Sequence, residues 1–254
     1  MQLYMTATPQ QYSLLSGTGF RLSHLVYQIG QDQHLHRSSV SRQTQIGLLA
    51  LHSTNLPAIT EPNTLCREIL RECANRGFEG VAADFGGHIS PDRMSFFNEL
   101  AGQLQRNKKK LFVSASYGKQ IPSAHVLINT ALSGGTLSTM LIDACNVFGK
   151  QRIALDIERV RMDFLLPSPS GEGTLLSQAQ LESLISELKP AVYFSHELCA
   201  KYFTYQKDRH SHFVLFDDAD TIRCKIKLGQ QLDIPCAFLL CSEVSDLLNE
   251  LKRH

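Results

Sequence analysis

Eight runs of strand length, rich in apolar, β-branched and aromatic residues, recur along this 254-residue chain at 2–8, 22–29, 45–52, 78–85, 110–117, 125–131, 152–158 and 235–241. Several are apolar almost without interruption, as in Ile46-Gly-Leu-Leu-Ala-Leu51 and Leu111-Phe-Val-Ser-Ala115. A strand with one wet face alternates, whereas an unbroken apolar run suits a parallel strand covered on both faces. Helical patterns lie between the runs at 61–76, 91–106, 136–148, 175–188 and 218–232. Ser90 before Pro91 marks one helix start, Asp217-Asp218 supplies cap and first-turn acids for another, and Gly77 and Gly149 are natural stops.

Strands alternating with helices are the pattern of α/β folds. Eight of them in this length fit one closed, parallel (β/α)8 barrel, a TIM barrel, which typically takes about 250 residues. The expectation is a single domain over 1–254 with some helices short or replaced by loops. Segment 31–44 is polar and lacks a helical pattern, and 164–174 carries Pro167, Pro169, Gly171 and Gly173 and reads as a loop. With 195–217 it makes the region before the last strand unusually long.

Hydrophobic residues at 43% and charged residues at 19% describe an ordinary soluble globule. The net charge of +1 and the short run Lys108–Lys110, placed where a helix end favours cations, give no footprint for nucleic acid. No membrane partner is expected either, since the start lacks a cationic-then-apolar leader and no run reaches the roughly 18 apolar residues of a span. Seven cysteines without C-x-x-C spacing read as reduced, small hydrophobes, which points to a cytoplasmic location.

Barrels of this kind place their chemistry at the C-terminal ends of strands. Asp84 ends the fourth run, followed by Gly86-Gly87, which open space beside it. Asp156 and Glu158 end the seventh and share one strand face. These three are the candidate catalytic carboxylates, a structural ion network with Arg159, Arg161 and Asp163 being the competing reading. Tyr4, His52, His88, Tyr117, Asn129 and Ser133 are candidate ligand-binding residues, with Ser116 a further rim position. Ser133-Gly134-Gly135 also opens a helix and could offer free N–H groups. His34, His36, His210 and His212 lie in polar loops without a supporting ligand pattern, so no metal and no cofactor is expected.

The last fifth of the chain resembles the end of a family 18 glycoside hydrolase barrel, as in the chitinase-like and spore-lytic branches. It shows Tyr202-Phe-Thr-Tyr205, then Phe213-Val-Leu-Phe-Asp-Asp218, then Thr221-Ile222 with Lys225, then Ile234-Pro-Cys-Ala-Phe-Leu-Leu240. That family carries D-x-x-D-x-D-x-E at the fourth strand, and Glu79-Gly-Val-Ala-Ala-Asp-Phe-Gly86 stands there in this chain. The resemblance implies that Asp84 is retained, that Ala82 replaces an aspartate positioning the acetamido group, and that Gly86 replaces the general acid. Leu240 stands where a tryptophan commonly floors the sugar site, and the chain has no tryptophan.

The implied function is a barrel that binds a glycan or related polar ligand at its C-terminal mouth with hydrolysis impaired. The alternatives are a divergent O-glycosyl hydrolase using Asp84, Asp156 and Glu158, and an interaction or scaffold protein using the loops 31–44 and 164–174. The sequence sets no oligomeric state.

Overall fold

A computed structural model describes residues 1–38, 47–52, 56–86, 89–168 and 171–251. The barrel strands are β1 (Gln2–Ala7), β2 (Arg21–Ile29), β3 (Gly47–His52), β4 (Gly80–Asp84), β5 (Lys110–Ser114), β6 (His125–Asn129), β7 (Ile153–Ile157) and β8 (Cys236–Leu240). Each pairs in parallel with the next, and β1 pairs with both β8 and β2, so the sheet closes on itself. All eight strand expectations fall on these elements, and the chain is a (β/α)8 barrel. A short strand, Leu35–Arg37, folds back antiparallel onto the end of β2.

The outer layer is irregular. Helices α1 (Pro62–Arg76), α2 (Pro91–Arg106) and α3 (Leu137–Phe148) follow β3, β4 and β6, whereas 3-10 turns at Pro9–Leu15 and Ala115–Tyr117 follow β1 and β5. Gly77 ends α1 in the left-handed region at φ 69°, as its place after the last helical turn predicts. No helix among the described residues is long and apolar enough to cross a membrane.

Between β7 and α5 (Ala219–Gln231) the chain builds a second sheet where the sequence reading placed loops. Its five antiparallel strands run in the order Thr174–Leu175, Arg161–Leu166, His210–Phe216, Ala200–Lys207, Tyr193–Ser195. Helix α4 (Gln178–Leu188) belongs to this insertion and packs Leu181 against Phe203, Val214 and Phe216. Pro167, Gly171 and Gly173 lie between two strands of it. Asp208 and Arg209, at φ 51° and 65°, form the two-residue turn whose twist suits a hairpin.

Inward residues fill the barrel. Tyr4 stacks on Phe238 with ring centroids 4.9 Å apart, and Phe112 meets Phe238 at 5.0 Å, so three rings plug the lumen. Phe85, just past β4, packs on Phe96 and Phe97 of α2.

Candidate functional site

Strand alternation that buries Ala82 and Ala154 in the lumen carries Asp84 and Asp156, two residues on, to the inner face at the C-terminal rim. There a cavity of about 480 Å³ opens, within the range of small-molecule sites. Asp84, Asp156, Glu158 and Glu243 line it, with Thr6, Ser23 and Ser242 as the neutral polar side chains and Leu25, Leu127 and Phe238 among the apolar ones. Among the described residues no lysine or arginine lines it.

The register seats Asp156 between Asn129 of β6 and Phe238 of β8. Burial, followed by the neighbouring charges of Asp84, Glu158 and Glu243, pushes the Asp156 carboxyl from 3.8 up to about 7. At neutral pH it can therefore both hold a proton and surrender one. Asn129 donates to Glu158 (2.5 Å) and is itself fixed by accepting from the Ala131 N–H at 2.7 Å. The Gly86 N–H donates to Asp84 at 3.1 Å, and the backbone N–H of Arg159 donates to Glu243 at 3.2 Å. Among the described residues none of the four carboxylates forms an ion pair with a basic side chain.

The charges that follow β7 are committed elsewhere. Arg159, 5% exposed, pairs with Asp246 at 2.7 Å and donates to the carbonyls of Asp217 and Glu243. Arg161 donates to the Leu176 carbonyl, and Asp163 accepts from Tyr205 and meets His212. No group of three or more His, Cys, Asp or Glu among the described residues converges as a metal site.

The three expected carboxylates thus meet in one cavity, and Asn129 touches one of them. Ser133 is exposed in an adjoining hollow of about 270 Å³ that shares Asn129's neighbour Glu158 and runs towards the inserted sheet. Tyr4 and Tyr117 require correction as rim residues. Tyr117 is 0% exposed and packs on Phe97 at 4.6 Å behind the barrel wall, because β5 ends at Ser114 and the chain then turns outward. Tyr4 is buried in the lumen with its hydroxyl aimed at Glu79, which precedes β4 at the opposite end, and burial pushes that phenol up to about 12. The side chain of His52 and all of His88 lie outside the described residues. Ser116 sits with Ser114 against the Gly86 carbonyl, at 3.4 and 3.1 Å.

Glu243 and Ser23 were not anticipated. Glu243 lies just past the last strand, the same kind of position as Asp84 and Glu158, and Ser23 stands with His24 as a buried polar pair near the start of β2.

Gly86 has φ 70°, and a Cβ built there meets nothing within 4 Å. The position expected to carry an acid therefore has room for a side chain, on a backbone that L-residues rarely adopt.

The paired aspartates of 217–218 divide their work. Asp218 caps α5, accepting from the N–H groups of Asp220 and Thr221, while Thr221 Oγ1 accepts from Asp218. Asp217 is wholly buried, accepts from Lys225 Nζ at 2.6 Å and from the Val160 N–H at 2.8 Å, and so ties the inserted sheet to the end of β7.

No family model and no curated relative matches the chain. Solved structures do. A chitinase from Chromobacterium violaceum superposes with a TM-score of 0.71 at 13% identity, covering 100% of this chain and 99% of that one. The spore cortex-lytic enzyme SleL of Bacillus megaterium gives 0.68 at 17% identity over 98% of this chain and 73% of its own. A GH18 chitinase of Cycas revoluta, solved in complex with (GlcNAc)3, gives 0.66 at 11% identity, covering 99% and 98%. The chain therefore has the barrel fold that the family 18 chitinases and SleL share.

Proposed function

We propose that this chain binds a glycan in the cavity at the C-terminal mouth of the barrel and that hydrolysis by the route its fold relatives suggest is impaired. The observation that carries the reading is the cavity itself, a concave site with a few convergent polar groups at the end of the barrel where such folds bind their ligands. Gly86 supports the impairment, since no proton donor stands at that position. Titration calorimetry with chitooligosaccharides and peptidoglycan fragments, alongside product analysis, tests both halves. Binding that weakens about tenfold in Asp84→Ala, a loss in the range of a hydrogen bond to a charged group, without released product, is the expected result. Turnover abolished by Asp84→Ala overturns the impairment.

One observation favours a second reading. A carboxyl held near neutrality is matched to general acid work, and Asp156 is such a group. On this reading Asp156 gives its proton to the leaving oxygen and product forms slowly, with Asp156→Asn abolishing it and leaving affinity in place.

A further inference from the structure

The mouth cavity combines three features. It gathers four carboxylates with no lysine or arginine on its wall among the described residues, and Arg159, whose own N–H meets Glu243, is buried and committed to Asp246 and two carbonyls. Those carboxylates are spread around the wall and do not converge in the manner of a metal site among the described residues. Ser23, 0% exposed, lines the same cavity with a hydroxyl that has no hydrogen-bond partner.

We infer that the cavity selects a ligand carrying a protonated amine, which on the glycan reading above is an amino sugar whose nitrogen is not acetylated. A buried hydroxyl without a partner is uncommon and is satisfied here by a polar group entering the cavity. Like charges that share one cavity repel, and an organic cation among them offsets that repulsion while offering three N–H donors to spread acceptors. A neutral acetamido group does neither. The apolar stretch Leu25, Leu127 and Phe238 gives the carbon face of a ring something to lie against. Asp156, raised by burial and then by its acidic neighbours, yields its proton when such a cation arrives.

The inference rests on the glycan reading for the sugar and on the cavity's charge for the amine, and calorimetry on the full chain at pH 7 separates the two. The probes are a glucosamine tetramer, an N-acetylglucosamine tetramer and spermidine. The inference expects the glucosamine tetramer to bind at least tenfold more tightly than its acetylated counterpart and to weaken as salt screens the carboxylates. It expects losses of roughly tenfold in Asp156→Asn and Glu158→Gln, and of about threefold to tenfold in Ser23→Ala. Equal or tighter binding of the acetylated tetramer overturns the inference and leaves glycan binding standing. Spermidine binding as tightly as the glucosamine tetramer supports selection of a cation and overturns the glycan reading. Binding of none of the three overturns both.

Discussion

Asp156 is the residue on which charge and fold press hardest. A carboxyl raised from 3.8 to about 7 binds its proton more tightly in the folded chain than in the unfolded one. Stability therefore falls as pH climbs from about 4 to about 7, and the whole penalty stands above that. Asp156→Asn removes the charge, and the expected outcome is a gain of at least about 1 kcal/mol at pH 8 that vanishes at pH 4, read from denaturant unfolding at the two pH values. A gain of equal size at both would mean that shape rather than charge is responsible. Gly86 makes the complementary case. Because its backbone is left-handed and its surroundings are open, Gly86→Ala is expected to cost about 1–2 kcal/mol, through the backbone alone. For the same reason Gly86→Glu is expected to leave product release at the wild-type level, since the side chain departs from a backbone set for glycine. Asp84, Asp156 and Glu158 were legible in the sequence because strand periodicity and strand ends locate inward rim positions. Tyr117 was misplaced by the same reasoning, for its strand stops three residues earlier than the apolar run does.

At the scale of elements, the barrel strands were readable because each is covered on both faces and so appears as an unbroken apolar run. The inserted sheet was not. Its strands intersperse charged and polar residues such as Lys201, Gln206 and Lys207 among the aromatics and are joined by residues that read as loop, so no unbroken apolar run marks the hairpin. What fastens that sheet to the barrel is the Asp217–Lys225 pair, with both side chains at or below 1% exposure. Lys225→Met leaves the Asp217 charge buried without its cation, and a loss of about 3–5 kcal/mol is expected in urea unfolding. Adding Asp217→Asn to it restores part of that loss, because the remaining group is neutral. A loss below 1 kcal/mol in the single variant would show that the buried pair is dispensable. The turn of the hairpin offers a milder test. Replacing Asp208-Arg209, both at positive φ, with Asn-Gly is expected to raise stability by about 0.5–1 kcal/mol, since Asn-Gly suits that turn without the steric cost Arg209 bears.

At the scale of the whole molecule, the rings of Tyr4, Phe112 and Phe238 settle how the cavity communicates with its surroundings. They stopper the lumen below the carboxylates, so the vessel has one door. A ligand that uses the four carboxylates must therefore reach them from the rim. Two ligands that both need those carboxylates are expected to displace one another, which competition calorimetry reads directly.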